Sequence, residues 1–257
     1  MRLLVILFAL AMPVVAWLTN SGTFGPDNGE MSDRYPTLLV AAGYAFAIWG
    51  LIFLWDAAYA VWQASGDRKR DDTLGRIAPW TAAGFALTTA WMPLFSMAQF
   101  WWCLLVIFAG LGCVLRAALI LSRDPTPHRH QVALAWMPLS LHAGWLSMAA
   151  FLNLAQVIVA YRLLPVRDML GWSLVLLVAA AAGLMFFNHR MRGNPAYALA
   201  AIWALVAVFV KQRAYGLDGG QVMAWIALAI AAVLAGQTLL LRLRADGECT
   251  PSSRLAN

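Results

Sequence analysis

The amino-acid sequence predicts an all-α fold, a polytopic transmembrane bundle of about eight helices. Three observations carry this reading. Of the 257 residues, 62% are hydrophobic and only 12% charged, far from the balance of a soluble globular domain. Apolar runs of roughly 20 residues, the length that crosses a hydrocarbon core, recur along the whole chain. The alternating pattern of membrane β-barrel strands is absent, so backbone groups in lipid must be paired within helices.

The elements follow in order. The run over 2–19, "MRLLVILFALAMPVVAWL", has Arg2, an apolar stretch and the small Ala16 near its end. That pattern also resembles a signal peptide, but a retained helix is expected. The insertion Thr19 to Pro36 is rich in Gly, Asn, Asp and Pro and reads either as a lid or as an ordinary connector. The second run, 37–63, exceeds the length required and is expected to tilt, kink or protrude. A mixed-charge loop, "SGDRKRDDTLGR", separates it from the third run, 78–97, and the fourth, 100–121, follows after a tight turn. The fifth, 132–160, is again long, and Pro138 near its start predicts a kink. The last three, 169–187, 195–211 and 220–241, are rich in small residues, which predicts close helix packing. Short loops make sequential helices antiparallel neighbours.

Net charge is +6, and topology accounts for it without nucleic acid. With a cytoplasmic N-terminus, twelve of the eighteen basic residues fall on that side, among them Arg2, Arg68 to Arg70, Arg76, Arg123, Arg129, Arg190, Arg192, Arg242 and Arg244. Five fall opposite, and Arg116 lies within the fourth run. This bias places both termini in the cytoplasm. Anionic headgroups suffice as partners for the basic loops. Cys103, Cys113 and Cys249 show no CxxC spacing and indicate neither a disulfide framework nor zinc.

Thirteen tryptophans divide by position. Those near run ends, such as Trp17, Trp62, Trp80 and Trp101, read as interfacial anchors. Trp49, Trp55, Trp91, Trp145 and Trp203 lie deeper, where an indole packs between helices or lines a cavity and its N–H needs an acceptor. Asp56 is the costliest residue of its run, about 2.5–3.5 kcal/mol at mid-bilayer. Either it sits by the headgroups or pairs with Arg116, or it serves a ligand or a proton. Trp49, seven residues back, shares nearly its face. His142 shares a face with Trp145, whereas His128 and His130 read as solvated. No metal site is expected, and no phosphate loop, GxSxG or HExxH motif specifies an enzyme.

Four stretches in order resemble the TspO family, the tryptophan-rich sensory proteins that include the translocator protein once known as the peripheral benzodiazepine receptor. They are "AGYAFAIWGLIFLW", "ALTTAWMPLFSM" with its W-x-P-x-F pattern, the fourth run ending "VLRAALIL", and "GWLSMAAFLN". The resemblance covers residues 1–163 and implies a five-helix membrane domain with an aromatic cavity under the first loop. It makes 164–242 a three-helix extension and 243–257 a polar cytoplasmic tail. Carried over by motif, the pocket residues are Trp49 and Phe53, Trp91 and Phe95, and Trp145 and Asn153, with His142 added from its shared face. Thr88 stands where several members have asparagine, and Leu141 and His142 replace a proline–tyrosine pair, so pocket chemistry is expected to differ.

The resemblance implies a non-enzymatic sensor or regulator in a bacterial inner membrane. Its ligand would be a flat hydrophobic molecule, a porphyrin or haem-like tetrapyrrole or a sterol, with no cofactor required. The expected partners are the bilayer and that ligand, not nucleic acid, with a homodimer left open. The alternative is a transporter of small amphipathic molecules in which Asp56 and His142 exchange protons.

Overall fold

The computed structural model describes residues 1–124 and 128–248, with side chains to 244. Cys249 and most of the expected tail lie outside the described residues, although the last helix runs on through 243–248. The described residues are helical throughout their regular structure. The helices are α1 (Arg2–Asn20), a short α2 (Asn28–Arg34), α3 (Ile48–Gln63), α4 (Asp72–Ser96), α5 (Phe100–Leu121), α6 (Arg129–Ala160), α7 (Met169–Arg190), α8 (Pro195–Ala214) and α9 (Gly220–Glu248).

Seven helical segments are long and apolar enough to cross a membrane, with α3 counted from Gly43. The expected third span, α4, is a 25-residue helix but is not among them. The reason is its composition, which is less apolar, with Asp72 and Arg76 in its first turns and Thr81, Thr88 and Thr89 farther along. It packs against α1 and α5, and Thr81 and Thr88 are buried. It also begins earlier than expected, at Asp72, because the Asp71 carboxylate accepts the Leu74 N–H at 2.8 Å and caps the first turn. α1 belongs to the same core through Val5, Ala9 and Met12. Its Arg2 guanidinium donates to the Gln63 carbonyl and side-chain oxygen, both at 2.9 Å, and to the Asp71 carbonyl at 3.0 Å.

The second span differs from expectation at its start. Residues 37–42 are not helical, and a 3-10 turn over Gly43–Ala47 leads into α3. Leu38, Leu39, Val40 and Ala41 are nevertheless buried, so their run of apolar character reflects core packing rather than a helix. Buried non-helical backbone needs external partners. α8 supplies them: the Gln212 side-chain amide donates to the Thr37 and Val40 carbonyls at 3.1 and 3.0 Å, and the Ala207 carbonyl accepts the Ala42 N–H at 3.0 Å.

The kink expected at Pro138 takes the form of a π-helical turn, Val132–Trp136. Proline has no N–H, so the Ala133 carbonyl five residues back gains no partner from it. The Trp55 indole donates to that carbonyl at 2.9 Å. Farther along α6, Gly144 lies against the α8 backbone, where any Cβ would collide with the Tyr197 carbonyl. Asn194 donates to the Ser140 hydroxyl at 2.6 Å, and the Ser147 and Tyr197 hydroxyls lie 3.0 Å apart. The last three helices are thus joined to the first five by backbone-close packing and buried hydrogen bonds. α9 packs on α8 and α7.

The first insertion is neither bare loop nor free lid. The Asp27 side chain caps α2, which buries Met31 and Ser32. Gln156 of α6 donates to the Ser32 hydroxyl at 3.1 Å, Tyr35 packs edge-on to Phe100, and Lys211 of α8 pairs with Asp33 at 2.7 Å.

Candidate functional site

Helical spacing brings the sequence-singled residues together. Trp49, Phe53 and Asp56 recur on one face of α3, Thr88, Trp91 and Phe95 on one face of α4, and His142 and Trp145 on one face of α6. The Trp49 ring is the hub. It stacks on Phe53 with centroids 5.2 Å apart, lies 6.3 Å from Trp91, and meets His142 and Trp145 edge-on at 5.7 and 5.9 Å. Trp91 in turn stacks on Phe95 at 4.9 Å. Such offset and edge geometries are those aromatic quadrupoles favour. Trp55 and Trp203, by contrast, face outward, their N–H groups satisfied by the Ala133 and Ala45 carbonyls.

Asn153 is engaged within the protein: its side-chain oxygen accepts the Trp91 indole N–H at 3.0 Å, and its amide donates to the Ala149 carbonyl at 3.0 Å. Thr88 is engaged as well, with its hydroxyl 3.1 Å from His142 Nε2.

Asp56 is fully buried, and its partner is His142, Oδ2 to Nδ1 at 2.7 Å. This corrects the two structural alternatives, a headgroup position and a pair with Arg116. Arg116 is exposed on α5, because the inward face of that helix is taken by Ile107, Leu111, Val114 and Ala118, and it lines a cavity with Arg76 and Arg123. The short contact gives one oxygen of the buried carboxyl a hydrogen-bond partner, which offsets part of its burial cost in the bundle interior. The second carboxyl oxygen, Oδ1, is buried with no partner. Phe85 stacks on the far face of the imidazole at 5.9 Å.

Free space is distributed unevenly. Among Trp49, Thr88, Trp91, Ile107 and Leu146 the rings close up and leave no room for a water molecule. On the side of the first insertion a cavity of about 270 Å3 opens under α2, lined by Ala16, Asn20, Asp27, Asn28, Gly29, Gly43, Phe46, Trp49 and Met92. Trp49 is therefore both a wall of that cavity and the hub of the closed cluster, while Phe53, Trp91, Phe95, His142, Trp145 and Asn153 lie outside its lining. The indole N–H groups of Trp49 and Trp145 and the Asn28 side-chain oxygen are buried without partners. Sequence reasoning did not single out Phe46, Phe85, Asn28 or Met92. Phe46, which meets Trp145 edge-on at 6.2 Å, stood within a quoted motif, whereas Asn28 carried no signal beyond the polarity of its loop.

A separate groove of about 460 Å3 runs along the outside of the bundle between α3, α6 and α8, with Leu51, Trp55, Leu141, Leu199 and Trp203 on its walls. Its lining is almost wholly apolar.

Among protein families, one described as TSPO-like protein matches residues 2–240, a range that runs through the last three helices. No curated protein and no solved structure matches the chain.

Proposed function

The chain belongs to the TSPO-like family, and on that premise we propose that it is a membrane sensor or regulator that binds a flat, apolar molecule against Trp49 without turning it over. The observation that carries the reading is the buried indole donor Trp49 Nε1, left without an acceptor on a residue that lines a cavity covered by α2, with a second unpartnered donor, Trp145 Nε1, on the ring packed edge-on against Trp49. A buried unsatisfied donor costs roughly 1–3 kcal/mol. A ligand bringing an acceptor recovers that cost, and its flat face replaces the ring contacts it displaces. A tetrapyrrole or a sterol-like molecule has both features.

The cavity of 270 Å3 lies just below the range of about 300–1,000 Å3 typical of small-molecule sites. Occupation by a tetrapyrrole therefore requires Trp49 to swing or α2 to lift. The membrane we propose is a bacterial inner membrane with both termini on its cytoplasmic side, a reading supported by the bias of basic residues such as Arg2, Arg68, Arg70 and Arg76 toward one set of loops.

Titrating the purified protein with protoporphyrin and following the porphyrin's own absorption tests the site. The Trp49→Ala, Trp145→Ala double variant is expected to bind at least about tenfold more weakly. Equal affinity of wild type and variant would remove this pocket.

A transport reading is favoured by one observation, the unpartnered Asp56 Oδ1 beside a proton-sharing histidine. It requires ligand flux in reconstituted vesicles that responds to a proton gradient and is lost in Asp56→Asn. Absence of flux leaves the sensor reading in place.

A further inference from the structure

At the end of the bundle that carries Arg2, a cavity of about 280 Å3 lies between the start of α4 and the end of α5, lined by Thr73, Arg76, Arg116, Ile120, Arg123 and Asp124. Three of these lining residues are arginines. Arg76 comes from the second turn of α4, Arg116 from the last turns of α5, and Arg123 from the turn just after that helix, where its N–H donates to the Ile120 carbonyl at 3.2 Å. Among the described residues no carboxylate forms an ion pair with any of the three. The one carboxylate in the lining, Asp124, accepts the Gln131 amide at 2.7 Å. The Thr73 hydroxyl, 3.5 Å from Arg76, adds a donor.

A second feature leads into this cavity from the membrane side. Leu105, Phe108 and Gly112 are exposed at helical spacing on α5, and the stripe they form ends at Arg116. From Leu105 to Arg116 it extends about 16 Å, comparable to one leaflet's acyl chain. Guanidinium groups match a phosphate by charge and by fork geometry. An apolar stripe ending at them matches a phosphate carried on an acyl chain. We propose that this cavity is a binding site for the phosphate headgroup of an anionic phospholipid, whose acyl chain lies along Leu105 and Phe108. Basic pockets between membrane helices are suited to such headgroups.

Native mass spectrometry of the protein released from nanodiscs of mixed phosphatidylglycerol and phosphatidylcholine tests this at near-physiological salt. Wild type is expected to retain one phosphatidylglycerol with roughly tenfold preference. The Arg76→Gln, Arg116→Gln, Arg123→Gln variant should fall to about twofold or less, and Arg116→Gln alone should sit between them. The Arg190→Gln, Arg192→Gln variant, which removes two arginines elsewhere, should keep the wild-type preference. Retained preference in the triple variant, or equal loss in the Arg190, Arg192 variant, would overturn the site in favour of diffuse surface charge. Displacement of the lipid by millimolar inorganic phosphate would overturn the lipid assignment in favour of a soluble phosphate. If the triple variant fails to fold, the single Arg116→Gln decides: unchanged lipid preference there contradicts the proposal.

Discussion

Asp56 and His142 depend on each other. Removing the carboxylate leaves a buried imidazole facing apolar rings, and removing the imidazole leaves a buried carboxyl with neither oxygen bonded. Breaking one member of such a pair costs about 3–5 kcal/mol, whereas replacing both by packed apolar groups is often close to neutral. Thermal unfolding in detergent should therefore show Asp56→Leu and His142→Leu each strongly destabilised and the double variant closer to wild type than either. Additive losses would mean the two side chains do not share their burial cost. The sequence told part of this: spacing put Asp56 on the face of Trp49 and His142 on the face of Trp145. It did not tell that the two residues meet, because the contact joins helices 86 residues apart and depends on their relative rotation. Arg116 looked like a candidate partner by charge alone, and the phase of α5 turns it outward.

At the level of elements, α8 holds the approach to the site. Gln212 serves two carbonyls of the non-helical stretch before α3, and among the described residues no other side chain donates to them. The Gln212→Leu variant should lose roughly 1–3 kcal/mol, seen as a lower unfolding midpoint. An unchanged midpoint would mean that water or another group satisfies these carbonyls. Gly144 makes a comparable demand on α6, since a Cβ there meets the Tyr197 carbonyl with no flexible atom to yield. The Gly144→Val variant should separate α6 from α8 and lower yield and melting temperature, whereas Gly112→Ala, at an open position, should not. Hydropathy could not reveal that residues 37–42 are not helical, because a buried loop and a membrane helix draw on the same residues. The break near Pro138 was legible from proline's missing N–H. Its π form was not, since that depends on Trp55 arriving from α3 to take the freed carbonyl.

For the whole molecule, the described helices form one bundle in which the last three brace the preceding ones, and the cavity beside Trp49 sits at the end opposite Arg2 under α2. The lid is fastened mainly by Gln156 to Ser32 and Lys211 to Asp33. The latter pair is half exposed on the aspartate side and worth about 1 kcal/mol at most. Lys211→Met should therefore raise the porphyrin association rate by no more than about fivefold and leave the folded core intact, as stopped-flow absorbance and circular dichroism would show. The structure offers a flat ligand two places, the cavity beside Trp49 and the outer groove between α3, α6 and α8. The most direct measurement is a structure of the protein loaded with protoporphyrin. The account predicts the ligand under α2, the Trp49 ring displaced from Phe53, and a ligand acceptor within hydrogen-bond distance of Trp49 Nε1. Ligand in the outer groove between Trp55 and Trp203, with the Trp49 cluster unmoved, would contradict it.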